Sequence, residues 1–116
     1  MVARLELQKG HDTVLRALAA VPPPWKLTII GVGSLERDLK ELAERLGIAS
    51  RVRFAGEVED VPSHLKEADL FLFPSRWEGM GSAVLEAMAA GVPVLSSDIP
   101  PLRGAVPDEL RLPIDT

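Results

Sequence analysis

Residues 26–47 read KLTIIGVGSLERDLKELAERLG, and they contain a change of period that decides the fold. KLTIIG is a short β-branched, apolar run ending on Gly31, as expected of a buried strand. Ser34 then stands where a helix N-cap would, and Leu35, Leu39, Leu42, Ala43 and Leu46 fall on one apolar stripe at helical spacing. Gly47 closes the stripe, in the position where a left-handed C-terminal residue is usual. One stretch therefore predicts strand, tight turn, helix and stop.

The same alternation extends in both directions. Upstream, residues 2–5 read as a short strand, and DTVLRALAAV (12–21) places Val14, Leu15, Leu18 and Val21 on one helical face before the stop PPP. Downstream, RVRFAG (51–56) is a third strand, and DVPSHLKEA (60–68) is a helix with Pro62 in its first turn and Leu65 and Ala68 inward. DLFLFPS (69–75) is a fourth strand, SAVLEAMAA (82–90) a fourth helix stopped by Gly91, and VPVLSSD (92–98) a fifth strand. Past Asp98, IPPLRGAV suggests a short helix and ELRLPI a last edge strand limited by Pro113. Five strands alternating with four helices predict an α/β, Rossmann-like doubly wound parallel sheet, because parallel strands need crossovers. Strand order 3-2-1-4-5 would make the loops after the first and fourth strands neighbours at the ligand crevice.

Composition narrows the function. The chain has 116 residues, 47% hydrophobic, a formal net charge of −4 and no cysteine, and its pI is about 5.1. An acidic chain has no general field for nucleic acid or anionic membrane, so a bound anion must be held locally. The lack of cysteine excludes disulfides, thiolate nucleophiles and Cys-ligated metal, and is compatible with a reducing cytoplasm. The longest apolar runs fall short of the roughly 20 residues of a membrane span, so a soluble chain is expected.

The crevice loops carry the chemistry. In PSRWEGMGS (74–82), Gly79 and Gly81 allow a close backbone approach, and the amides of Gly81, Ser82 and Ala83 would open a helix as an anion site. Glu78 precedes that turn and Glu86 lies about one turn inside the helix, so each could accept hydrogen bonds from hydroxyls of one extended ligand. In RLELQKG (4–10), Arg4 and Lys9 are fixed cations suited to a diphosphate bound without metal. Two carboxylates also suit glycoside hydrolysis, but there they usually flank one bond. GVGSLE resembles a dinucleotide fingerprint, yet Glu36 stands where its third glycine belongs, which disfavours a nicotinamide-dependent oxidoreductase and leaves a tight strand-to-helix turn. His11 reads as a helix-start residue, His64 as a surface residue, EVED as a solvated loop, Trp25 and Trp77 as packing residues, and Val84, Leu85 and Met88 as core.

RLELQKG, LTIIGVGSLERDLKELAERLGI, RVRFAGEV and above all ADLFLFPSRWEGMGSAVLEAMAAGVPVLSSD together resemble the donor-binding C-terminal domain of group 1 (family 4) glycosyltransferases of the GT-B fold, over about residues 4–104. The resemblance implies a retaining transfer from a nucleotide-diphospho-sugar, without dependence on a divalent metal or other cofactor. It implies that Arg4 and Lys9 contact the diphosphate, Glu78 the transferred sugar and Glu86 the ribose hydroxyls. Gly79, Gly81, Ser82 and Ala83 would support sugar or phosphate, and the base would lie near Glu57 and Val58. Ala3 and Met80 depart mildly from the family's glycine and phenylalanine. The expected acceptor, a glycan or lipid-linked glycan, would arrive through an N-terminal domain that these residues do not include. Residues 1–116 are thus expected to be one donor-binding domain truncated at both ends, belonging to polysaccharide biosynthesis in the cytoplasm. The full enzyme could meet a membrane peripherally. A non-catalytic fragment that self-associates through an uncovered interface is the alternative.

Overall fold

A computed structural model describes residues 1–76, 82–104 and 106–112. The chain forms two compact units, Met1–Val58 and Glu59–Thr116, each built from parallel strands and helices in the alternation expected of an α/β, Rossmann-like protein.

In the first unit, β1 (Leu27–Ile30) pairs in parallel with β2 (Val52–Gly56). Leu27 stands opposite Val52 and Ile29 opposite Phe54, and a register shift then sets Ile30 against Gly56. The other edge of β1 takes residues 1–5. Only Val2 forms a regular bridge, to Ile30, yet the hydrogen bonds continue as a parallel ladder. The Met1 amine donates to Thr28 O (2.9 Å), Ile30 N to Met1 O (2.8 Å), Ala3 N to Ile30 O (3.0 Å) and Leu5 N to Val32 O (3.1 Å). The expected first strand is therefore present as hydrogen bonding while too irregular to be a full strand. This half has the expected order 3-2-1.

Helix α1 (His11–Ala19) buries Val14 and Leu15. It stops two residues earlier than its apolar spacing predicts, because three prolines follow at 22–24 and cannot extend it. Val21 consequently lies outside the helix, 45% exposed, and its carbonyl accepts the Trp25 indole N–H at 2.9 Å. Helix α2 (Glu36–Arg45) buries Leu39, Leu42 and Ala43. Its end has the paired bonds of a Schellman stop, Gly47 N to Glu44 O (3.0 Å) and Ile48 N to Ala43 O (3.0 Å), with Gly47 at φ 74° and Ile48 buried beneath it. The two helices pack on one another.

The second unit has β3 (Phe71–Phe73), β4 (Val94–Ser97) and β5 (Arg111–Leu112) side by side, both pairings parallel. Here the neighbours are the expected fourth, fifth and last strands. The pairings described thus make two sheets, one three-two-one and one four-five-six, where a single ladder 3-2-1-4-5 is expected. Phe71 and Phe73 are buried with ring centroids 6.0 Å apart. Helix α3 (Val61–Lys66) is capped by Asp60, whose carboxylate accepts from Ser63 N (3.2 Å) and Ser63 Oγ (2.5 Å). It buries Leu65, but Ala68 lies past its end and is exposed.

Helix α4 (Ser82–Ala89) ends as predicted: Gly91 has φ 78°, Gly91 N donates to Met88 O (3.0 Å) and Val92 N to Ala87 O (3.1 Å). Its buried face is Val84 and Ala87, each 0% exposed, whereas Leu85 and Met88 are 53% and 44% exposed. The expectation that Leu85 and Met88 are core is therefore corrected. The helix has one inward face, and the small residue Ala87, three positions after Val84, occupies it.

Between β4 and β5 the chain makes 3-10 turns at Pro100–Leu102 and Asp108–Leu110. Arg111, with a side chain 11% exposed, ties these turns down. It donates to Asp98 Oδ1 (3.0 Å), Asp108 Oδ1 (2.5 Å) and the carbonyls of Arg103 and Val106. Arg103 adds a second bond to Asp98 Oδ1 at 3.1 Å, and these two guanidinium groups hold the Asp98 carboxyl below its ordinary pKa.

Candidate functional site

In the first unit the carboxyl ends of three parallel chain segments are joined edge to edge. Leu5 N reaches Val32 O (3.1 Å), and Gly31 N reaches Gly56 O (2.8 Å). Three loops leave that edge: residues 4–9, the turn 31–35, and residues 57–58. Arg4 and Lys9 lie on the first loop, Arg4 exposed and Lys9 half-buried at the end of a 3-10 turn, Leu7–Lys9. Glu57 and Val58 leave the third, exposed and half-buried. Four sequence-predicted site residues thus share one end of one sheet, where α/β proteins bind ligands.

The turn 31–35 is built against the first loop. Gly31 has φ 131°, and a Cβ there would lie 1.9 Å from Ala3 O; at Gly33 a Cβ would lie 2.6 Å from both Leu5 N and Leu5 O. Only glycine allows the two backbones to meet so closely. Leu35 N then donates to Leu5 O at 2.9 Å. Ser34, expected as the α2 cap, does something else. Leu35 is the N-cap and makes no side-chain cap bond. The Ser34 amide and hydroxyl instead donate to Glu6, to Oε1 at 3.0 Å and Oε2 at 2.5 Å. These two bonds hold the Glu6 carboxyl below its ordinary pKa, and Arg4 stands 3.7 Å from Glu6 Oε1. Sequence reasoning missed Glu6. Its one signal was the alternation Arg4, Leu5, Glu6, which puts two charged residues on one side of the chain and buried Leu5 on the other.

In the second unit, α4 starts at Ser82, so the amides of Ser82 and Ala83 belong to a first turn with no intrahelical acceptors. Glu86 is exposed, between the buried Val84 and Ala87. The carboxyl ends of β3 and β4 are linked where Ser97 Oγ donates to the carbonyl of Ser75, which leads into the β3–α4 connection. Glu78, Gly79 and Gly81, with Trp77 and Met80, lie outside the described residues. An open apolar groove of about 320 Å³, lined by Met88, Val92, Pro93, Val94, Val106 and Leu110 among others, sits at the amino end of β4, away from these strand ends. Among the described residues no group of three His, Asp or Glu side chains could hold a metal, and no helix is long and apolar enough to cross a membrane.

Comparison with known proteins settles the family. The profile described as glycosyl transferases group 1 matches residues 1–111. The chain belongs to the group 1 glycosyl transferases. This group 1 chain is similar to the lipopolysaccharide core biosynthesis mannosyltransferase LpsB of Rhizobium meliloti, at 38% identity over 83% of the chain and 30% of LpsB. It is also similar to a GDP-mannose-dependent alpha-(1-6)-phosphatidylinositol monomannoside mannosyltransferase of Mycobacterium tuberculosis, at 37% identity over 95% of the chain and 31% of the relative. Among solved structures, HepE of Anabaena in complex with UDP superposes with a TM-score of 0.87 and 27% identity, over 99% of the group 1 chain and 34% of HepE. The lipopolysaccharide outer core galactosyltransferase WaaB superposes with a TM-score of 0.84 and 30% identity, over 91% of the chain and 32% of WaaB. The chain spans about a third of the length of these relatives.

Proposed function

We propose that these residues are the donor-binding part of a retaining glycosyltransferase, which moves a sugar from a nucleotide-diphospho-sugar to a hydroxyl of a glycan or lipid-linked glycan. The observation that carries this reading is the strand-end edge of the first unit. It presents Arg4 and Lys9 at the same end of the sheet as residues 57–58, in a chain similar over nearly its full length to a protein solved with UDP and with UDP-glucose.

In this reading Arg4 and Lys9 take the diphosphate, and Glu57 and Val58 border the base. By family resemblance the amides of Ser82 and Ala83 and the Glu86 carboxylate also serve the donor, Glu86 by accepting from ribose hydroxyls. By family resemblance Glu78 holds the sugar, with Gly79 and Gly81 beside it. In transfer, the acceptor oxygen bonds to the anomeric carbon as the bond from that carbon to the diphosphate oxygen breaks. The acceptor proton leaves with the diphosphate. Fixed cations that meet the developing charge on the diphosphate favour the transition state over the bound donor. That role needs neither metal nor other cofactor, and it fits work in the cytoplasm on polysaccharide precursors, with the acceptor held by residues beyond these.

Calorimetric titration with UDP, GDP, ADP and NAD tests the proposal. One nucleoside diphosphate is expected to bind with heat that EDTA does not alter, and Arg4→Ala, Lys9→Ala and Glu86→Ala are each expected to weaken it about tenfold, the equivalent of roughly 1.4 kcal/mol. Tight NAD binding with no response to nucleoside diphosphates would falsify the reading.

A further inference from the structure

We propose that Glu6 is a positioning residue for diphosphate binding: by clamping Ser34 it fixes the loop that presents Arg4 and Lys9. The inference rests on the donor-binding reading above and adds a residue to it.

The geometry has three parts. Glu6 and Ser34, 28 residues apart, are joined by two hydrogen bonds that use both carboxylate oxygens. The adjacent Leu5 makes two more bonds to the same turn, N to Val32 O and O from Leu35 N. The chain at residues 5–6 is thus fastened four times to residues 32–35, across a gap that Gly33 keeps too narrow for a side chain. Third, the Oε1 that accepts the Ser34 amide also faces Arg4 at 3.7 Å. A guanidinium on an exposed side chain is otherwise free to sample many rotamers, and ordering it on binding costs affinity. A carboxylate held in place by Ser34 limits that freedom in advance.

The acid also has a cost, because a carboxylate near a diphosphate repels it. The clamp offsets this with two donors from Ser34 and the nearby Arg4 guanidinium. It also occupies the Ser34 amide just before α2, so that amide has no proton left to offer a phosphate. Within the loop pair of the first unit this leaves the Arg4 and Lys9 cations for phosphate.

Repulsion and positioning predict opposite signs for Glu6→Ala, which leaves no side-chain oxygen to accept from Ser34, and this makes the test sharp. Affinity of the 116-residue chain for UDP, or for whichever of GDP and ADP it prefers, is measured beside that of the matching monophosphate, in wild type, Glu6→Ala, Ser34→Ala and the double variant. Positioning predicts that Glu6→Ala loses about tenfold for the diphosphate and under about twofold for the monophosphate, that Ser34→Ala, which keeps the amide bond, loses less, and that the double variant is no worse than Glu6→Ala, because one interaction is removed twice. Amide exchange at Ser34 and Leu35 is expected to quicken in Glu6→Ala while that of β1 and β2 is unchanged, separating loss of the clamp from unfolding. Unchanged or rising diphosphate affinity in Glu6→Ala, or equal losses for the two nucleotides, overturns this inference alone. A wild-type chain that binds no nucleoside diphosphate overturns the donor-binding reading, and this inference with it.

Discussion

His11 opens α1 with an imidazole that is 1% exposed and has no hydrogen-bond partner at either nitrogen among the described residues. Burial lowers its pKa from 6.5 to about 4, because the charged ring would lose water and gain no acceptor. The sign of the consequence is fixed by proton binding. Between those two values the unfolded chain holds the proton and the folded chain does not, so stability is fully present above about 6.5 and falls as pH is lowered toward 4. The full effect is on the order of 3 kcal/mol. Urea unfolding at pH 7, 6, 5 and 4 is expected to show this slope in wild type and a shallower one in His11→Leu, which at pH 7 should be no less stable since it removes two unsatisfied buried nitrogens. Equal slopes would show that the ring finds an acceptor. The sequence marked His11 as a helix start, which it is. Its burial was hidden, because it depends on what packs over the first turn rather than on the turn itself.

At the scale of elements, glycines and arginines with the same local appearance carry different weight. Gly31→Ala is expected to cost more than about 4 kcal/mol, since its Cβ would meet the Ala3 carbonyl in a backbone already at φ 131°. Gly47→Ala has open space around the new methyl and should cost about 1–2 kcal/mol, the left-handed backbone term alone. Thermal unfolding of the two variants would reverse this reading if their losses were alike. Among arginines, Arg111→Ala should lower the melting midpoint clearly more than Arg37→Ala, because Arg111 serves four acceptors that close the β4–β5 connection while Arg37 makes an exposed i,i+4 pair with Glu41. Equal shifts would mean that the connection is held by packing alone. The stops at Gly47 and Gly91 were legible because a left-handed C-terminal residue is a local demand that glycine meets. Ser34 was misread for a related reason. Its hydroxyl signals a hydrogen bond near a helix start, but the partner is 28 residues away and no local rule names it. On α4, apolar residues occupy both sides of the helix, so apolar identity could not say that Val84 faces in and Leu85 out.

For the whole molecule, charge and exposed apolar surface act together. The formal net charge is −4 and the pI about 5.1, so near pH 5 repulsion between copies vanishes while His11 is already reducing stability. Leu85, Met88 and Leu112 expose apolar surface in the same molecule. Light scattering against pH is expected to peak near 5, and Leu85→Glu should lower the peak; a flat profile would show that these side chains do not drive association. The arrangement of loops at strand ends was legible because alternating periods dictate parallel strands and parallel strands gather their carboxyl ends. The hydrogen-bonded order within each unit was legible for the same reason. The ladders themselves have a further consequence, for the time course of folding. Leu27 pairs with Val52, Phe71 with Val94, Ser96 with Arg111 and Val2 with Ile30, and no described pairing is a hairpin. Each ladder must close a long chain segment before its first bond gives any return. Helices α1, α2 and α4, two of them ended by glycine stops, close only local bonds, so closure of the ladders rather than formation of the helices is expected to limit the rate of folding.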